Sequence, residues 1–232
     1  MSHWLPPEAL VALVLSLRVS LWATVLSLPF GVAVAWLLAR RRFPGHGLVN
    51  GLVHLPLILP PVVTGYLLLI AFGRRGVIGH WLHEVLGVTL AFRWTGAVLA
   101  AAVMAFPLMV RAIRLAIEAV DPRLEEAAGT LGAPRLWVLA TVTLPLILPG
   151  IIAGVILAFA KAMGEFGATI TFVSNIPGQT QTLPSAIYSF MQVPGGEAQA
   201  ARLVAVAIAI AMAALLLSEW ISRAVARRIA GP

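Results

Sequence analysis

The chain contains no cysteine and little charge, and both absences narrow its class. Without cysteine among its 232 residues it has no disulfide, no thiolate metal site and no cysteine nucleophile. Only 11% of the residues are charged and 60% are hydrophobic, whereas a soluble domain has roughly 25% and 45–50%. This composition predicts an integral membrane protein.

The chain also lacks the sequence features of an ATPase or a membrane enzyme. Its only lysine, Lys161, lies between Ala160 and Ala162, so there is no Gly-Lys-Ser/Thr loop to bind a nucleotide phosphate. No paired histidines or clustered carboxylates lie within the apolar segments. We therefore expect neither enzymatic activity nor a metal or cofactor bound by this chain.

Five apolar segments are long enough to cross a bilayer, which takes about 20 residues in a helix. They predict an all-α bundle forming one transmembrane domain over residues 1–232, with the two termini on opposite sides. The predicted spans are residues 10–39, 51–72, 94–115, 144–170 and 200–221.

The arginines between these spans are distributed unevenly, and arginine is retained on the cytoplasmic side. One face collects ten: Arg40, Arg41, Arg42, Arg111, Arg114, Arg123, Arg135, Arg223, Arg227 and Arg228. The other face has four: Arg74, Arg75, Arg93 and Arg202. We expect the amino terminus outside and the carboxyl terminus in the cytoplasm. Short basic clusters between apolar runs are not the basic stripe of a nucleic-acid-binding protein.

The loop over about 116–143 is punctuated like a short helix. Asp121 is a good N-cap, Pro122 suits the first helical position, and Gly132 followed by Pro134 supplies a left-handed stop. An apolar edge follows the i, i+3, i+4, i+7 pattern at Leu124, Ala127, Ala128 and Leu131. Such an amphipathic helix is either a plain surface connector or a helix that fits a groove on another protein.

The residues around this helix resemble the cytoplasmic signature of ABC importer permeases. The signature runs Glu-Ala-Ala, three residues, Gly, nine residues, then an aliphatic residue, any residue, Leu and Pro. It matches Glu126-Ala127-Ala128, Gly132 and the segment from Val142 to Leu144-Pro145. The resemblance implies a type I permease fold whose loop couples to an ATPase. The implied coupling residues are Glu126, Ala127, Ala128, Gly132, Leu144 and Pro145.

The same resemblance implies an assembly in the inner membrane. Two copies of an ABC ATPase would hydrolyse ATP, two copies of the permease would form a homodimer within the lipid, and an extracytoplasmic binding protein would deliver the substrate. A secondary transporter is the main alternative. It leaves the matched motif without a role, and the polar coupling-ion site that it needs within the spans is sparse here.

Nearly the whole chain resembles the molybdate permeases, most specifically over residues 164–178. This resemblance implies molybdate import, served by a molybdate-binding protein. Sulfate, thiosulfate and tungstate permeases share the architecture and a similar Gly-Glu-Phe-Gly segment, so they remain alternatives.

Three charges lie within or near spans, where an ionisable group costs roughly 2.5–3.5 kcal/mol and suggests function. Lys161 and Glu165 are four residues apart and can pair. The pair is either a latch or gate, or a substrate contact. A carboxylate facing a dianion would repel it, which favours the latch. Arg18 either extends to the outer surface or lines the pathway.

Overall fold

The computed structural model describes the backbone of residues 5–230 and the side chains of residues 5–217 and 219–221. The side chains of Arg223, Arg227 and Arg228 lie outside the described residues. Within residues 5–230 every regular element is helical, which confirms the all-α fold class.

Residues 5–230 contain eleven α-helices, numbered in chain order, and one π-helical segment, Leu139–Thr143, which lies between the seventh and eighth helices. They are α1 Pro7–Arg40, α2 His46–Ile58, α3 Pro61–Phe72, α4 Val77–Leu86, α5 Trp94–Glu118, α6 Pro122–Thr130, α7 Arg135–Val138, α8 Leu144–Met163, α9 Gly167–Val173, α10 Leu183–Met191 and α11 Glu197–Ala230. Prolines in the first turn help to start α1, α3 and α6, because the missing N–H is not needed there.

Helix α5 lies at the centre of the core, packed between α1 and α8. Small residues allow the close approach: a Cβ at Gly31 of α1 would lie 2.7 Å from Met109 Sδ, and one at Gly154 of α8 would lie 3.1 Å from Ile113 Cγ1. Membrane helices pack closely through such residues, because lipid supplies no hydrophobic driving force between them. A second, smaller apolar cluster joins α1 and the residue Leu5 before it to α10 and α11. Its buried members are Leu5, Ala9, Ala12, Leu183, Ala186 and Leu203.

Four described segments are long and apolar enough to span a membrane: α1, α5, residues 135–163 and residues 197–221. A fifth is present only if α2 and α3 together form one crossing. The predicted spans 10–39, 94–115 and 200–221 fall inside α1, α5 and α11.

The predicted span 51–72 is not one helix. It divides into α2 and α3, whose axes differ by 115°. Leu59 and Pro60 have extended backbones at the break, and Pro60 and Pro61 carry no N–H to continue the helical hydrogen bonds. The apolar composition is continuous across the break, so hydropathy alone does not detect it.

The predicted span 144–170 is wrong at its carboxyl end, whereas Leu144 does begin α8, which continues the helical residues before it. The helical path begins earlier, at Arg135, and ends at Met163, after which residues 164–166 separate α8 from α9. The break has a specific stabilising contact, because the Glu165 carboxylate accepts a hydrogen bond from the backbone of Ala168 in the first turn of α9.

Candidate coupling site

The predicted start and end signals of α6 are confirmed. The Asp121 carboxylate accepts a hydrogen bond from the Arg123 backbone N–H at 3.0 Å, so it acts as the N-cap. Gly132 follows the helix with φ +82°, and the N–H of Ala133 donates to the carbonyl of Ala128 at 3.3 Å. The chain therefore turns at a left-handed glycine before α7 begins.

The outer surface of α6 carries the residues that match the signature. Glu126 and Ala127 are exposed and Ala128 is half-buried. Leu131 is 89% exposed and Leu136, at the start of α7, is 81% exposed. The predicted apolar edge is therefore largely uncovered by the chain itself. Leu144 and Pro145 lie apart from this surface, in the first turn of α8.

The inner side of α6 is fixed by a contact that the sequence interpretation missed. Glu125 Oε1 accepts hydrogen bonds from Arg40 Nη2 and from Thr143 Oγ1, each at 2.8 Å. No role was predicted for Glu125 from the sequence. Its partners are 85 and 18 residues away, so the only sequence signal was that all three residues belong to the same predicted side of the membrane.

The predicted pair of Lys161 and Glu165 forms at the end of α8. Lys161 Nζ lies 3.0 Å from Glu165 Oε2, and Glu165 Oε1 accepts from the Ala168 N–H at 2.9 Å. The Glu165 side chain is only 2% exposed. Both carboxylate oxygens are therefore occupied by the helices on either side of the break, an arrangement that suits a latch.

Helix α9 is closely packed on α3. A Cβ at Gly65 would lie 2.5 Å from the Ala168 carbonyl oxygen, and one at Gly167 would lie 2.7 Å from Pro61 Cβ. The pair of Lys161 and Glu165 and the break between α2 and α3 are thus joined through this contact.

Arg18 lies apart from the pair of Lys161 and Glu165. Its guanidinium carbon is 3.8 Å from the centroid of a Trp94 ring, a cation–π contact that contributes about 0.5–1 kcal/mol at exposed sites. It lines a recess of about 500 Å³ with Arg93 and Gln179, and neither Lys161 nor Glu165 borders that recess.

Residues 27–231 match the sequence model of a family described as binding-protein-dependent transport system inner membrane component. The chain belongs to this family. It is therefore an inner-membrane component of a transport system, and residues 126–145 lie inside the matched region.

Relatives with known names are similar over most of their length. The molybdenum transport system permease protein ModB of Escherichia coli K12 is 63% identical, over 95% of this chain and 96% of that protein. ModB of Haemophilus influenzae is 56% identical, over 94% of this chain and 95% of that protein. The sulfate transport system permease protein CysT of Escherichia coli K12 is 36% identical, over 80% of this chain and 67% of that protein.

Solved ABC importers share the fold at low sequence identity. A bacterial ABC transporter involved in the import of the acidic polysaccharide alginate has a TM-score of 0.74 at 17% identity, over 96% of this chain and 81% of that chain. The MetNI methionine ABC transporter in an inward-facing conformation has a TM-score of 0.68 at 15% identity, over 95% of each chain. The expected type I permease fold is confirmed.

Proposed function

We propose that this chain is the permease subunit through which molybdate enters the cytoplasm, driven by ATP hydrolysis on a separate subunit. The observation that supports molybdate as the substrate is the 63% identity to a molybdenum permease over 95% of the chain. The sulfate permease is 36% identical over 80% of the chain. Tungstate, a tetrahedral dianion like molybdate, is the closest competing substrate.

The uncovered surface of α6 is the proposed docking site for the ATPase. Glu126, Ala127 and Leu131 present a short amphipathic helix of the kind that fits a groove on a partner. The small alanine leaves room for close approach, so a bulky residue at position 127 is expected to prevent docking. In this arrangement the carboxyl terminus and α6 face the cytoplasm, and the amino terminus faces outward.

A continuous helical path can carry movement from α6 into the membrane. Residues 135–163 form one 29-residue helical segment, about 43 Å long at 1.5 Å per residue. Its first end follows Gly132, and its second end is the latch of Lys161 and Glu165. Closure of two ATPases would thereby displace the start of the segment and change the helix break at residues 164–166.

Two helices offer surface for a second permease copy and for lipid. Helix α2 has no buried residue in the isolated chain. Helix α11 buries Ala200 and Leu203 near its start, but only 11% of the most apolar part of residues 197–221 is buried. We propose a homodimer, served by a binding protein outside the membrane as the family description implies.

The test of this proposal is anion uptake by the reconstituted complex. The permease, its ATPase and the binding protein would be placed in proteoliposomes with ATP inside and molybdate, tungstate or sulfate outside. We expect ATP-dependent uptake of molybdate in preference to sulfate. Uptake driven by an ion gradient without ATP would contradict the proposal, and a preference for sulfate would contradict its substrate.

Lys161→Ala is expected to lower molybdate uptake about fivefold while the ATPase still co-purifies with the permease. The change removes a charge-assisted hydrogen bond, worth about 1.5–3 kcal/mol when shielded, and leaves the buried Glu165 carboxylate with one partner fewer. Lys161→Arg, which keeps the positive charge, is the matched control. Uptake by Lys161→Ala equal to that of the unmodified permease would remove the latch from the transport mechanism.

A further inference from the structure

The Glu125 carboxylate joins three separate helical elements. It belongs to α6, and its Oε1 accepts from Arg40 in the last turn of α1 and from Thr143 at the end of the π-helical segment. Thr143 is 1% exposed, and the side chains of Arg40 and Glu125 are 21% and 26% exposed. Partial burial makes such a contact stronger and less dependent on salt than an exposed ion pair.

Arg40 donates fewer hydrogen bonds to Glu125 than a guanidinium can donate to one carboxylate. An arginine fork can donate two parallel hydrogen bonds to one carboxylate. Here Arg40 donates through Nη2 to Oε1 alone, and its buried Nε–H has no hydrogen-bond partner in the described structure. A buried donor without a partner is unfavourable. A small displacement of α6 could bring Oε2 to this N–H and complete the fork.

The third partner lies at an irregular point of the long helical segment. Residues Leu139–Thr143 adopt π-helical hydrogen bonding directly before α8, and single π turns inside α-helices are frequently found at functional sites. Glu125 therefore contacts the helical segment where its geometry departs from the regular α-helix on either side.

We propose that Glu125 is a positioning residue that ties the coupling helix to α1 and to the π-helical start of α8, and that its contact with Arg40 alternates between the single bond of this structure and a two-bond fork. This inference rests on the proposed function, because the ATPase supplies the displacement of α6. Because the ion pair has two discrete arrangements, α6 would move between two defined positions and not through a continuous range.

The first experiment measures molybdate transported per ATP hydrolysed by the reconstituted complex. Arg40→Lys keeps the charge but cannot form the fork, Glu125→Gln removes the charge, and Thr143→Val removes the third partner at similar size. We expect each variant to retain its ATPase on purification. We expect the transport ratio to fall about tenfold for Arg40→Lys and Glu125→Gln, within the usual range of coupling between sites.

Glu118→Gln is the matched control. Glu118 accepts a 2.6 Å hydrogen bond from Arg114 on the same helix, so this change removes an ion pair of similar geometry without altering the contacts of α6. Its transport ratio should match that of the unmodified complex. A normal ratio in both Arg40→Lys and Glu125→Gln would overturn the proposal.

The second experiment follows the movement directly and does not depend on transport. Because the chain has no cysteine, Arg42→Cys and Arg123→Cys introduce two sites for spin labels in each permease copy, on exposed residues beside α1 and on α6; the labelled chain is diluted with unlabelled chain so that the distance within one copy is measured. Distances are measured in the full complex with and without ATP. We expect narrow distributions in both states, and a broad one when Glu125→Ala is added.

The two experiments separate the failure of this inference from the failure of the proposed function. An unmodified complex that hydrolyses ATP without importing molybdate would contradict the proposed function. The distances between the labels would still test whether Glu125 holds α6 in place. A narrow, unchanged distance distribution in the Glu125→Ala variant would show that Glu125 does not hold α6 to α1 and α8, whatever the complex transports.

Discussion

Gly132→Val is expected to reduce ATP-driven molybdate uptake at least about tenfold, because the chain turns at this residue with φ +82°. The left-handed conformation costs an L-residue roughly 1–2 kcal/mol, and it is least accessible to β-branched side chains. A Cβ at this position would meet no atom within 4 Å. Within this chain the effect therefore comes from the backbone: α7 leaves α6 in a different direction, and movement of the helical segment no longer follows α6.

The same substitution three residues earlier is the matched control. Gly129 lies within α6, and a Cβ there also meets nothing within 4 Å. Gly129→Val should lower uptake less than Gly132→Val, since valine and glycine differ by only a few tenths of a kcal/mol inside a helix; any loss that it causes measures added bulk on the docking surface and not the turn. Gly132→Asn should retain part of the activity because asparagine tolerates the left-handed region. Full uptake and normal coupled ATP hydrolysis in Gly132→Val would disprove the role of this turn.

Gly65→Ala is expected to destabilise the permease by about 1–3 kcal/mol, the usual cost of forcing a methyl group into a packed interior. The added Cβ would lie 2.5 Å from the Ala168 carbonyl oxygen and 2.8 Å from Ala168 Cα. Backbone atoms cannot turn aside as a flexible side chain can, so α9 must move away from α3. The N–H of Ala168 then moves away from Glu165, and we expect uptake to fall together with stability.

Gly51→Ala is the control for this second prediction. Gly51 lies in α2, where a Cβ meets nothing within 4 Å, and alanine favours a helix over glycine by up to about 1 kcal/mol. Thermal unfolding of the purified permease and molybdate uptake would be measured for both variants. Equal unfolding temperatures for Gly65→Ala and the unmodified permease would show that α3 and α9 are less closely packed than this structure indicates.

The features of α6 that the sequence predicts are local ones. Asp121 caps the helix through a residue two positions away, and Gly132 stops it through its own backbone. Both follow from steric and hydrogen-bonding rules that involve neighbouring residues only. The contact between Arg40 and Glu125 depends instead on how α1 and α6 pack, and no periodicity in either helix specifies it.

The two helix breaks show why hydropathy locates apolar segments but does not predict their shape. A hydropathy window sums transfer energies over about 19 residues, and neither break changes that sum much. The first break needs the proline pair Pro60 and Pro61, which could be recognised from the sequence. The second lies at residues 164–166, where the Glu165 carboxylate accepts a hydrogen bond from the Ala168 N–H three residues further on, a local cap that a hydropathy sum does not register.

The helical continuity from Arg135 to Met163 gives the spacing of the signature a geometric meaning. Each residue added to a helix rotates the following chain by about 100° around the helix axis and moves it about 1.5 Å along that axis. One residue inserted or deleted between Gly132 and Leu144 would therefore turn α6 to a different side of α8, and would carry Glu125 away from Thr143. In this segment the number of residues sets the angle at which α6 lies around the axis of α8. A change of length therefore disturbs the position of α6 more than a change of side chain does.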